Sequence, residues 1–161
     1  MGRLIDLCKQ KLGGAVLSAH EQHGDETVVI RKDAMLTALR WLRDDNDTKF
    51  DFMMDLTAVD YFGTRPRDER FEVVYHLFSL THNHRLRVKI PVAEADPAVE
   101  SAATVWKAAD WFEREVWDMY GIVFKGHPNM KRILLYEEFE GHPLRKDYNI
   151  RKRQPLIGPE N

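Results

Sequence analysis

The chain has 161 residues, about the length of one compact domain, with 43% hydrophobic, 11% aromatic and 31% charged side chains, a composition that excludes disordered and collagen-like classes. Its 24 basic and 26 acidic residues leave a net charge of -2, so no overall field draws it to nucleic acid or to an anionic membrane. The single cysteine, Cys8, excludes an intrachain disulfide, a four-cysteine zinc site and an iron-sulfur cluster ligated by this chain alone.

The start, Met1 to Asp6, meets acid at once and reads as neither a secretory signal nor a transit peptide. No run approaches the roughly eighteen apolar residues of a membrane span, which predicts a cytoplasmic protein unless a partner carries it to a membrane. Leu4, Ile5, Cys8 and Leu12 recur at helical spacing and Gly13-Gly14 supplies a stop. Ala15 to His20 and Thr27 to Arg31 read as strands joined at His23-Gly24-Asp25, a hairpin. Asp33 is the expected N-cap of a helix on which Met35, Leu36, Leu39 and Leu42 share a face. Phe50, Phe52, Met54 and Leu56 alternate with Asp51, Met53 and Asp55 as a half-buried strand, the first set inward.

Gly63 to Arg70 reads as a charged loop. Phe71 to Leu80 is apolar on both parities, the pattern of a central strand covered on both faces. Asn83 is a turn residue, after which Leu86, Val88 and Ile90 alternate with Arg85, Arg87 and Lys89 as a strand with one wet face. Asp96-Pro97 has the chemistry of an N-cap and first helical residue, and a further helix is expected from about Ala108 to Tyr120, before Gly121. On a wheel of the latter, Ala109, Phe112, Val116 and Met119 form the apolar stripe, with Glu113 and Glu115 flanking it. Trp111 and Trp117 fall with Asp110, Arg114 and Asp118 on the opposite face, where two tryptophans suggest a covered or binding surface. The element order predicts an α+β fold with a mostly antiparallel sheet packed with helices.

Charge divides the chain. Residues 1–124 carry 16 basic and 21 acidic side chains, whereas 125–161 carry 8 and 5, together with four of the seven prolines. The expectation is an α+β domain over 1–124 and an extended tail over 125–161. The tail's glycines and prolines, in Gly126-His127-Pro128, Gly141-His142-Pro143, Pro155 and Gly158-Pro159, oppose long helices and central strands. Its backbone hydrogen bonds are therefore expected to go to neighbouring surfaces or to water.

Histidines at 20, 23, 82 and 84 lack carboxylates or thiols at ligand spacing and read as solvated turn residues rather than a metal site. Glu113, Glu115 and Asp118 could form an acid/base cluster, and a free-standing carboxylate-dependent hydrolase built on Glu113, Glu115 and His127 is the farther alternative. Arg114 among them favours a structural charge network that fixes this helix against the tail or a neighbour, and the sequence has no GxSxG, P-loop or GxGxxG motif.

Three blocks carry a resemblance. Glu113-Arg114-Glu115, Asp118 to Ile122, Phe124, Gly126-His127-Pro128 and Lys131-Arg132-Ile133-Leu134 make the first. Glu140-Gly141-His142-Pro143-Leu144-Arg145-Lys146-Asp147-Tyr148 is the second, and Phe52 to Tyr61 the third. Together they resemble the NuoC or 30-kilodalton subunit family of complex I, the respiratory NADH:quinone oxidoreductase. Departures are small: Trp117, and Asn149 where proline is usual. The resemblance implies an α+β domain with a long tail that wraps neighbouring subunits, in the hydrophilic arm, with no catalytic centre, cofactor or metal of its own. FMN, iron-sulfur clusters and quinone would sit in partner subunits. It would be held peripherally at the cytoplasmic face of a bacterial inner membrane, without nucleic acid or a span of its own. Relatives of complex I, the ferredoxin-dependent photosynthetic complexes and membrane-bound hydrogenases, carry equivalent subunits and are the nearest alternative. The partner interface is expected at the motif positions, among them Gly121, His127, Pro128, Arg132, Gly141, His142, Pro143, Leu144, Arg145, Lys146, Asp147 and Tyr148.

Overall fold

The computed structural model describes residues 2–64 and 69–155; the middle of the expected charged loop and Gly158-Pro159 lie outside them. Helix α1, Arg3–Leu12, ends at Gly13, whose φ of 51° places it where a side chain is unfavourable. Strands β1, Val16–Gln22, and β2, Asp25–Ile30, form the expected antiparallel hairpin. His23 and Gly24 both have positive φ, as a two-residue turn of the twist-matching kind requires. A single helical turn, Lys32–Ala34, leads into α2, Met35–Asp44. Asp33 does not cap that helix; its carboxylate is held by Arg31 at 2.7 Å instead.

Strands β3, Phe52–Asp60, β4, Phe71–Ser79, and β5, His84–Val92, complete a five-stranded sheet of order β1-β2-β5-β4-β3. All its pairings are antiparallel except β2 with β5. Asn83, at φ 51°, makes the β4–β5 turn as expected. On β3 the expected alternation is overturned. Met53 pairs with Leu77 but Asp55 with His76, so Met54 is the extra residue of a bulge. The bulge reverses the parity: Met53 is buried before it and Leu56 and Ala58 after it, while Phe52 and Met54 are exposed.

The expected helix at Asp96-Pro97 is absent. The Asp96 carboxylate meets Lys32 at 2.5 Å, and the Pro97 carbonyl accepts the amide of Val123. Strand β6, Ala98–Glu100, then pairs in parallel with β7, Val123–Lys125. Non-local pairing outweighs a local signal that reads equally well as a helix start. Helix α3, Ala109–Tyr120, lies where the periodicity placed it.

One core joins Ile5 and Cys8 of α1, Met35, Leu39 and Leu42 of α2, and Ala109 and Val116 of α3 to a single face of the sheet, including Val28, Leu56, Tyr75 and Val88. On the other face Lys89 meets Glu72 at 3.0 Å and Arg87 donates to Thr27 at 3.2 Å. Glu72 and Val74 of β4 are buried on this face as well. No helix of the described residues is long and apolar enough to cross a membrane.

Candidate functional site

The motif residues assemble around the C-terminal half of α3. A helix leaves its last carbonyls without intrahelical donors, and here each of the final four finds one. The Gly121 amide serves Trp117 at 2.8 Å, His142 Nδ1 lies 2.9 Å from the Asp118 carbonyl, the Leu144 amide serves Met119 at 3.0 Å, and Arg145 Nε serves Tyr120 at 2.5 Å. The arginine also places its positive charge at the negative end of the helix dipole. Gly121 is in the left-handed region at φ 73°, and a Cβ there would lie 2.5 Å from the His142 ring and 2.8 Å from Arg145 Nη2. Only glycine allows that turn and that close approach together.

Asp118 is fully buried, although the wheel placed it outward. Its Oδ2 accepts the amides of Ile133, Leu134 and Leu135 at 3.1, 2.9 and 3.0 Å, and its Oδ1 meets Arg132 at 2.5 Å. Burial alone would raise this carboxyl, but the amides and the guanidinium outweigh it and hold the group below the usual carboxylate value. Arg132 also donates to the carbonyl of Phe139 at 2.5 Å and stacks over the rings of Trp117 and Phe139. The tail thus half-buries Trp117 but leaves Trp111 open, 69% exposed.

Of the charge network expected at 113–118, Arg114 and Asp118 fix the helix against the tail, whereas Glu113 and Glu115 take no part. Glu113 points the other way, fully buried, and accepts from Ser101 Oγ and the Ala102 amide, each at 2.6 Å. Burial, with a contribution from Asp110, pushes it up to about 7 against those two hydrogen bonds. Arg114 donates to the carbonyls of Lys131 and Arg132 at 3.0 and 2.9 Å. Glu115 is exposed. Among the described residues Asp118 alone of the three carboxylates makes an ion pair, and its cation is Arg132 rather than Arg114. Three carboxyls facing three directions cannot act as one acid/base cluster.

His127 Nδ1 accepts the Asn129 amide at 3.0 Å, which leaves Nε2–H to donate to the Asp110 carbonyl at 3.0 Å. Pro128 is exposed and Pro143 half-buried. Gly141, at φ 93°, passes close to the Tyr148 ring, which stacks on Phe139. Beyond it the Lys146 amide donates to Asp60 at 2.9 Å and Asp147 grips Arg70 at 2.6 and 3.0 Å.

Sequence reasoning missed Arg70. Its side chain is 5% exposed and holds Asp60 at the end of β3, Glu94 beyond β5, and Asp147. Burial opposes ionisation of Asp60, but Arg70 and the amides of Lys146 and Phe62 bring it down to about 2. Its partners lie 10, 24 and 77 residues away in sequence, so no spacing rule points to the cluster. Asp60, within the third resemblance block, was the available signal.

The tail's hydrogen bonds are therefore not directed chiefly outward: from Lys131 to Asp147 many return to α3, to Asp60 of β3 and to Arg70 just ahead of β4. Among the described residues no three His, Cys, Asp or Glu side chains converge as metal ligands. Cys8 is buried, with its thiol pushed up to about 12 by burial and by Glu26. His20 and His23 are exposed, whereas His82 and His84 contact the carbonyls of Asn46 and Thr48, each at 2.7 Å.

Residues 28–154 match the family described as respiratory-chain NADH dehydrogenase, 30 Kd subunit. The NADH-quinone oxidoreductase C subunit of Citrifermentans bemidjiense is 46% identical over 98% of this chain and 91% of its own length. The protein of the same name from a Roseiflexus species is 44% identical over 89% of this chain and 81% of its own. Among solved structures, a trypsin-resistant fragment of Nqo5 superposes with a TM-score of 0.66 at 30% identity, covering 80% of this chain and 99% of the fragment. A chain of an archaeal membrane-bound sulfane sulfur reductase superposes at 0.73 with 23% identity, over 91% of this chain and 84% of its own, a likeness of fold.

Proposed function

This chain belongs to the 30-kilodalton subunit family of respiratory-chain NADH dehydrogenase, and from that premise we propose that it is the corresponding subunit of an NADH:quinone oxidoreductase, complex I. It acts as a structural and assembly subunit of the hydrophilic arm, supporting electron transfer from NADH to quinone coupled to ion pumping. The observation that carries this reading is the 46% identity to the NADH-quinone oxidoreductase protein of Citrifermentans bemidjiense across nearly the whole of both chains. The motif geometry supports a scaffold: Asp118, Arg132, His142, Arg145 and Asp147 bind one another's segments and fix the tail's path over the body. The trypsin resistance named for the Nqo5 fragment supports a body that folds as a unit.

On this reading the partners are the cluster-bearing and quinone-site subunits, which hold the FMN, iron-sulfur clusters and quinone, and this chain holds none. It sits peripherally, at the cytoplasmic face, through those partners. The relatives of complex I are disfavoured because the similar curated proteins carry the NADH-quinone oxidoreductase name.

The test is native purification through a tag on this chain, with mass spectrometry of what accompanies it. A flavin-bearing NADH module and cluster-bearing subunits are expected. Deletion should abolish NADH:quinone activity in membranes, and the wild-type chain should restore it. A hydrogenase or ferredoxin-linked assembly without that module would move the chain to the alternative.

A further inference from the structure

On α3 only two residues are exposed, Trp111 and Glu115, one helical turn apart. Where the next turn follows, the tail brings in Leu134, whose amide bonds Asp118, and Leu144, whose amide bonds Met119. Leu134 is 61% exposed and Leu144 50%. From position 111 to 119 the helix rises about 12 Å, so the backbone anchors of both leucines lie within about that distance of Trp111 along the helix. We propose that Trp111 and Glu115, together with the exposed Leu134 and Leu144 anchored at the C-terminal half of the helix, form one surface that seats a segment of a partner protein presenting an arginine or lysine between apolar side chains. The proposal rests on the reading of this chain as a subunit of a larger assembly and names the chemistry of one contact.

The apolar half of the argument is exposure. An open tryptophan with two exposed leucines anchored on the same helix has the composition of an interface, where Trp anchors carry much of the binding energy. Charge specifies the occupant. Glu115 has no hydrogen bond or ion pair among the described residues. The guanidiniums nearby are engaged: Arg114 with two carbonyls, Arg132 with Asp118, Arg145 with the Tyr120 carbonyl. A partner that covers Trp111 also removes water from Glu115, and a carboxylate so buried needs a cation. A carboxylate at the centre repels an anionic lipid surface. A second copy packed with its two-fold axis at Glu115 would set that carboxylate against its own copy.

The test uses the full chain in the purified native complex, with a photo-crosslinking phenylalanine analogue replacing Trp111. The crosslinked peptide should come from another subunit and contain Arg or Lys flanked by apolar residues. Glu115→Lys should lower crosslink yield roughly tenfold or more, Glu115→Gln less, and exchanging the partner's cation for Glu should restore yield with Glu115→Lys. An intact complex with no crosslink, a crosslink to lipid, to a second copy or to residues 156–161, or a partner peptide without a cation each overturns the inference alone. Failure of the unsubstituted chain to co-purify with other subunits overturns the functional reading as well.

Discussion

Asp118 pairs with Arg132 at 2.5 Å, and the same carboxylate gathers the amides of the three residues that follow that arginine. Asp118→Ala would leave Arg132 without its buried partner and three amides without an acceptor. The cost should be about 3 to 5 kcal/mol, read in denaturant melts. Amide exchange at 133–135 should rise far more than in α1. Unchanged protection there would show that the segment is held by other contacts.

Arg70→Ala should be comparably destabilising, because Asp60 would stay buried without its cation. Arg70→Lys should recover little, since one ammonium cannot reproduce paired donors to both Asp60 and Asp147. Trypsin cleavage after Arg145 and Lys146 should accelerate in both variants, and equal rates in wild type and Arg70→Ala would refute the latch.

Glu113 predicts a pH dependence of defined sign. Its folded value, about 7, lies above the ordinary 4.5, so the folded state binds this proton more tightly than the unfolded one. The associated stability is full below about 4.5 and is lost as pH rises through about 7. At about 1.4 kcal/mol per pH unit, the loss is at most on the order of 3 kcal/mol. Glu113→Gln can keep both hydrogen bonds and should flatten the stability profile over that window. A profile as steep as wild type would exclude Glu113 as its source.

Gly121→Ala forces a side chain into a left-handed turn and against His142. The backbone term is about 1 to 2 kcal/mol, and the clash adds to it by displacing the residues that close the helix. Exchange of the Leu144 amide should increase, and tagged complex should be recovered in lower yield.

The sequence is most readable where the determinants are local. The β1–β2 turn, the alternation of Leu86, Val88 and Ile90, and the span of α3 all rest on neighbours within a few residues. Alternation misplaces Phe52 and Met54 because a one-residue bulge reverses parity without marking the sequence. Asp96-Pro97 misleads because its distant partners, Lys32 and Val123, decide the local structure. The motif positions are recognisable as a set, but a helical wheel cannot know that a later segment will cover Asp118 or that an earlier one, Ser101-Ala102, will hold Glu113 inward.

The closure of α3 by His142, Leu144 and Arg145 also bears on the order in which the chain matures. Lys146 reaches Asp60 and Asp147 reaches Arg70 across 86 and 77 residues, so the ribosome must release those last positions before the helix end and the Arg70 cluster can be completed. Until then Asp60 and Arg70 have only part of their final set of partners, and synthesis that stopped short of residue 142 would leave three helix carbonyls open. An interrupted product is therefore marked by its own unfinished polar groups, far upstream of the interruption, as a substrate for chaperones and proteases.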